Sequence, residues 1–152
     1  MTREERARQS AIKKIYQNSI VDKTKGTFQS GDKWAVCDGF RFIRTSNRPQ
    51  DIPDCMGVDL GRVTENVERG EVVYPPSAQE INDFIKERGM TRVRNLLPIE
   101  ALPGWWCNPF YLLDMVKAMP DAVYYKPKNR LSPLYCESDD GDALLLPVRR
   151  AA

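Results

Sequence analysis

The sequence predicts an α+β domain made of two similar halves, each a helix followed by an antiparallel meander, with a segment inserted between them. Three observations carry this expectation. Residues 107–150 present helix and strand signals in one unbroken order. The N-terminal residues present the same order. The length of 152 residues, 41% of them apolar and 29% charged, suits a single domain spanning 1–152 with one substantial core.

In the C-terminal stretch Asn108 is placed to cap a helix whose first position is Pro109, where a missing N–H is harmless. Phe110, Leu113, Val116 and Ala118 with Met119 follow at helical spacing, and Pro120 ends the run. Strand-like pieces come next at 122–126, 134–137 and 143–148, separated by 127–129 and by the polar turn 138–142. Because side chains alternate along a strand, Leu145 should face away from Leu144 and Leu146, and this apolar run predicts a strand covered on both faces.

Near the N-terminus, residues 3–20 read as a helix with Ile12, Ile15, Tyr16 and Ser19 on one face. Arg3, Arg6, Ser10, Lys13 and Gln17 form a second stripe. Residues 25–45 then read as paired strands. Turns fall at Ser30-Gly31-Asp32 and Asp38-Gly39, between Thr27-Phe28, Trp34-Val36-Cys37 and Phe40-Phe42-Ile43. The two halves share no detectable sequence repeat. Between them, 47–104 is an insertion. Residues 47–76, rich in Pro, Asp, Glu, Arg and Gly, form a long excursion, and a helix at 78–88 opens on the capping box Ser77-x-x-Glu80 and ends at Gly89. Trp105-Trp106-Cys107 reads as a strand leading into the last helix.

Composition excludes more chemistry than it suggests. The chain has no histidine, which removes His-based acid–base catalysis, Ser-His and Cys-His nucleophiles and zinc sites of the Cys–His type. Cys37, Cys55, Cys107 and Cys136 lack metal-knuckle spacing and read as reduced, partly buried thiols. No glycine-rich phosphate loop is present. The acidic turn from Glu137 to Asp142 reads as a hairpin around Asp140-Gly141 rather than a cation site. A net charge of +2 gives no global footprint for nucleic acid. The absence of a membrane-length apolar run or a signal-peptide core predicts a soluble, cytoplasmic protein with no membrane partner. No cofactor or metal is expected.

The C-terminal order, with Tyr111-Leu112-Leu113-Asp114, Ser132-Pro133 and Pro147-Val148-Arg149, resembles the closing half-domain of the bacterial DNA sliding clamp, the β subunit of the replicative polymerase. Cys37-Asp38-Gly39-Phe40-Arg41-Phe42 is similar to a clamp strand ending Thr-Asp-Gly-His-Arg-Leu; the Asp-Gly and the Arg are kept, the Thr, His and Leu are not. The likeness covers less than half of the chain. A clamp domain also opens with a strand before its first helix, which here is absent or supplied from elsewhere.

The resemblance implies a non-enzymatic clamp-like module: a replication accessory or mobile-element protein that binds double-stranded DNA, linear peptides of partner proteins, or both. It implies DNA contact through Arg3, Arg6, Lys13 and Lys14, backbone-directed and without sequence preference. It implies a peptide site at Phe42, Leu146, Pro147, Val148 and Arg149. A one-domain chain would join further copies as a homo-oligomer to rebuild a ring. On residue chemistry alone, the charges on the first helix also suit a solvated face. Phe40, Phe42, Trp105 and Trp106 also suit a core. The alternative is a clamp-derived protein-interaction module without DNA binding. An enzyme stands third, because no carboxylate constellation at usable spacing appears for a metal-dependent nuclease.

Overall fold

Why each helix starts where it does is visible at its first turn. The computed structural model describes residues 1–65 and 67–149; Asn66 in the inserted segment, and 150–152 at the end of the C-terminal stretch, lie outside the described residues. Helix α1 (Arg3–Asn18) opens on a capping box in which Glu5 N donates to Thr2 Oγ1 and Thr2 N donates to Glu5 Oε2. Helix α3 (Ala78–Glu87) opens on the box read at Ser77 and Glu80. Helix α4 (Pro109–Ala118) has Asn108 Oδ1 accepting from the N–H groups of Phe110 and Tyr111.

The strands form one seven-stranded antiparallel sheet. The first meander is β1 (Phe28–Ser30), β2 (Lys33–Cys37) and β3 (Arg41–Thr45). The second is β7 (Val123–Tyr125), β8 (Leu134–Ser138) and β9 (Gly141–Leu145). With the short β4 (Val72–Val73), the order is β1-β2-β3-β9-β8-β7-β4. The two meanders thus join through β3 and β9, in a register from Arg41 opposite Leu145 to Thr45 opposite Gly141. The expected pair of helix-plus-meander halves is present, and they are arranged back to back about that seam. A separate hairpin of β5 (Ile99–Leu102) and β6 (Trp105–Cys107) leads into α4.

Both faces of the sheet are covered. On one lie α1 and α4, which run antiparallel: Arg8 reaches Ala118, Lys14 reaches Asp114 and Asn18 reaches Tyr111. They bury Ile12, Ile15, Leu112 and Met115 against Val36, Ile43, Cys136 and Leu145. The opposite face buries Phe28, Phe42, Tyr135 and Leu144 beneath Leu60 of the short α2 (Leu60–Glu65). Leu144 and Leu145 therefore belong to different cores, as strand alternation requires.

The excursion is a strap over this second face. It pairs with the free edge of β1, where Thr27 N donates to Pro53 O and Cys55 N to Thr27 O. It then crosses the sheet and ends as β4 beside β7 at the far edge. The insertion thus touches both sheet edges, through a single bridge between Thr27 and Asp54 at one and through β4 at the other.

The third strand of the second meander stops at Leu145, short of the expected 148. Leu146 N still donates to Phe40 O, but beyond Pro147 the chain turns away and Val148 N donates to Trp106 O. Proline cannot extend the ladder with an N–H, and the tail instead ties the main sheet to the β5–β6 hairpin. Among the described residues no helix is long and apolar enough to cross a membrane.

Where β3 crosses β9, Gly141 lies so close to the Arg44 carbonyl oxygen that an added Cβ would overlap it. Gly141→Ala is expected to lower stability by about 1–3 kcal/mol through forced separation of the seam. A urea denaturation midpoint unchanged from the parent would contradict that packing.

Candidate functional site

The two sequence motifs meet in space. Asp38 ends the β2–β3 connection as an Asx turn, its Oδ1 accepting from the N–H groups of Phe40 and Arg41. This sets Arg41 at the start of β3 with its side chain toward α4. There Nη1 of Arg41 donates to Oδ2 of Asp114 at 2.9 Å, and its Nε donates to Oδ2 of Asp38 at 3.2 Å. Asp114 is 4% exposed. Its other oxygen accepts from Lys14 of α1 at 3.0 Å and from Arg92 of the 91–97 loop at 3.1 Å.

A second ring of contacts extends from this hub. The Arg41 guanidinium stacks 4.1 Å from the centroid of Tyr111, and Arg92 lies 5.0 Å from that of Phe110. Asn18 bridges Asp38 Oδ2 and Tyr111 Oη, each at 3.0 Å. Phe40 then packs on Tyr111 with ring centroids 6.3 Å apart.

Above the hub the surface is apolar and open. Phe40 is 56% exposed, Leu146 39% and Val148 37%, and Tyr111, Trp106 and Pro147 are half-buried. Main-chain bonds from Leu146 to Phe40 and from Val148 to Trp106 tie the tail beside this surface. Of the residues expected to take a peptide, Leu146, Pro147, Val148 and Arg149 lie on this tail. Phe42 does not join them. It is buried against Leu144 and Tyr135 on the opposite face of the sheet. The Asx turn at Asp38 breaks strand alternation before Arg41, so Phe40 belongs to the turn and Phe42 to the strand, where it meets the core placement that its chemistry also suited.

The residues expected to touch DNA divide. Arg3, Arg6 and Lys13 are exposed on α1, Arg6 donating to Met1 O. Lys14 is held by Asp114 and serves the hub instead.

On the outer face a second network runs across five strands and the strap. Arg44 pairs with Asp142 through both carboxylate oxygens and reaches Ser30; Asp142 accepts from Tyr135 Oη at 2.6 Å. Glu137 accepts from Tyr125 and from Arg69 of the strap, both at 2.8 Å. It is a latch between strap and sheet, with every buried polar atom satisfied.

Neither network offers a reactive group. Burial pushes the thiols of Cys107 and Cys136 up to about 12, so neither is a nucleophile near neutral pH. Among the described residues no three carboxylates or thiols are placed to hold a metal ion. The turn of the β8–β9 hairpin is Asp139-Asp140, one residue earlier than the expected Asp140-Gly141, with Ser138 pairing with Gly141.

Two predictions follow from the hub. Arg41→Ala should destabilise by about 3–5 kcal/mol, because it strands two carboxylates, whereas the half-exposed Arg92→Ala should cost less than about 1 kcal/mol. Equal effects in denaturant melts would contradict Arg41 as the central partner. The second concerns acid. Burial opposes ionisation of Asp114, but the hydrogen bond and charge of Arg41, with Lys14 and Arg92, outweigh it and hold its carboxyl below the usual carboxylate range. A depressed folded pKa contributes stability above the unfolded value and loses it as pH falls through the folded one. Below about pH 4 the parent should therefore lose stability more steeply than Asp114→Asn. Parallel acid melts of the two proteins would count against it.

Comparisons with protein-family models, with curated proteins and with solved structures found no match.

Proposed function

We propose that the chain is a non-enzymatic binding module of the sliding-clamp type, which takes short linear peptides of partner proteins on the patch formed by Phe40, Tyr111, Leu146, Pro147 and Val148. One observation carries the reading. The Asp-Gly-x-Arg and Tyr-Leu-Leu-Asp motifs, 73 residues apart at Arg41 and Asp114, form a single buried contact directly beneath an open apolar surface. Fixed aromatic side chains over a satisfied polar base suit recognition of apolar anchors, since little is lost in ordering them. The outward side of α1, with Arg3, Arg6 and Lys13, supplies a phosphate-facing surface for double-stranded DNA.

The alternative, a clamp-derived interaction module without DNA contact, draws on a specific observation. Lys14 is committed to Asp114, and Glu4 and Glu5 stand among the remaining cations of α1.

Peptide binding is tested by selecting linear peptides from a display library against the folded chain and measuring their affinity for Val148→Asp and Phe40→Ser. Both variants should lose binding tenfold or more with little change in melting temperature. Selected peptides that bind the variants as well as the parent would overturn the patch assignment. Side-chain substitution is the cleaner probe here, because deleting the tail from Pro147 onward also removes the Val148–Trp106 hydrogen bond and should cost about 1 kcal/mol.

DNA binding is tested by titrating a labelled duplex across salt concentrations. Three phosphate contacts predict a log–log slope near about −3, and replacement of Arg3, Arg6 and Lys13 by alanine should abolish it. Binding that survives the triple variant, or no binding at low salt, leaves the interaction-module reading in place.

A further inference from the structure

The loop 91–97 holds apolar side chains out in water by design of its backbone. Thr91 and Arg94 exchange main-chain hydrogen bonds at 3.0 and 3.3 Å, Thr91 Oγ1 accepts a third from Arg94 N, and Arg92 is pinned to buried Asp114. This fixed turn leaves Val93 88% exposed, with Leu96 and Leu97 exposed behind it. No carboxylate lies between Glu87 and Glu100, while Arg88, Arg92 and Arg94 all fall within that stretch. The result is a knob formed by a turn with an apolar tip; Arg88 pairs with Glu87 and Arg92 with Asp114, leaving Arg94 as the cation there engaged in no ion pair among the described residues.

The same chain carries its complement. Past the C-terminal end of α4 opens a groove of about 610 Å³, lined by Met119, Pro120, Val123 and Tyr125 together with Asp121, Asp139 and Asp140. That is the size range of sites that bury a small ligand or a few side chains. Its one cation, Arg8, already lies 3.7 Å from Asp140. Among the described residues Asp121 and Asp139 are exposed and engaged in no ion pair.

Knob and groove stand apart within one molecule. Arg92 reaches Phe110 and Asp114 of α4, whereas the groove begins at Met119, roughly 7–13 Å further along the helix at 1.5 Å per residue. We propose that the loop 91–97 of one molecule seats in this groove of a second copy, Val93 entering the apolar lining and Arg94 facing Asp121 and Asp139. The two surfaces differ, so the contact is heterologous and a pair keeps one free groove on the first molecule and one free knob on the second. Its charged component is exposed and therefore weakens with salt. The inference does not rest on the peptide and DNA reading: it uses neither the Phe40–Val148 patch nor Arg3, Arg6 and Lys13.

Light scattering of the full chain tests it. The parent should gain mass with concentration at low salt and return toward monomer mass as salt is added. A knob variant, Val93→Glu with Arg94→Glu, and a groove variant, Asp121→Lys with Asp139→Lys, should each stay monomeric alone. Mixed in equal amounts they should reach dimer mass if the reversed pairs are matched with the intact surfaces, since each then retains one working side: the knob variant offers an unaltered groove and the groove variant an unaltered knob. The single changes Arg94→Glu and Asp139→Lys provide a second pair, and thermal melts establish that all four are folded. A parent that is monomeric throughout, variants that assemble like the parent, or a mixture that stays monomeric would each overturn the proposal.

Discussion

The buried contact between Arg41 and Asp114 is the constraint on which the rest of this structure depends. It joins β3 of the first half to α4 of the second, across the seam where the two meanders meet. Removing two ions from water is expensive, and a lone Arg–Asp pair does not always repay it. Here the penalty is offset by further bonds: Arg41 also holds Asp38, and Asp114 also takes Lys14 and Arg92. One carboxylate thereby gathers the first strand seam, both long helices and the inserted loop. An apolar replacement could fill the same volume but could not specify this geometry, in which each partner arrives from a different element.

Coverage of the sheet on both faces is the second constraint, and it explains the long insertion. An antiparallel sheet commonly leaves one face in water and shows clean alternation of apolar and polar residues. Here the central strands put Phe42 and Leu144 on the face away from the helices, a surface too apolar to leave open. The strap covers it with Leu60 and is fastened at three places: at Thr27 on one edge, through β4 at the other, and by Arg69 on Glu137 between them. Gly57 shows how tightly it lies, since a Cβ there would overlap the Phe28 ring. The insertion is thus part of the core rather than an ornament on it.

Much of this was legible in the sequence where the signals are local. The Asn108-Pro109 start of α4, the Ser77–Glu80 box, the Ser30-Gly31-Asp32 turn and the split of Leu144 from Leu145 all follow from hydrogen-bond arithmetic over a few residues. The box at Thr2 and Glu5 carried the same signature and could have been found the same way. The missed features are those set by distant partners. Lys14 looks like any cation of a solvated helix face until Asp114 is placed beside it, a hundred residues away in the chain. Phe42 looks like the twin of Phe40 until the turn at Asp38 changes the phase between them. The strap was read as an excursion because its hydrogen bonds go to strand edges, and edge pairing leaves no periodic mark on a sequence.

The hub also accounts for why a patch this apolar can remain on the surface in one conformation. Tyr111 has a guanidinium on its ring and Asn18 on its hydroxyl, and Phe40 packs on that fixed ring. The tail that completes the patch is held at Leu146 and Val148 by main-chain bonds, which leave the side chains free to face outward. All the charges beneath are already paired, so a ligand seated on the patch need not strip water from an unsatisfied ion, a step that would oppose binding. The features that stabilise the fold are therefore main-chain bonds and buried ions, whereas the features available to a partner are the outward side chains of Phe40, Leu146 and Val148. Because the two sets are made of different atoms, the outward side chains can be changed without removing the main-chain bonds and ion pairs that hold the fold together.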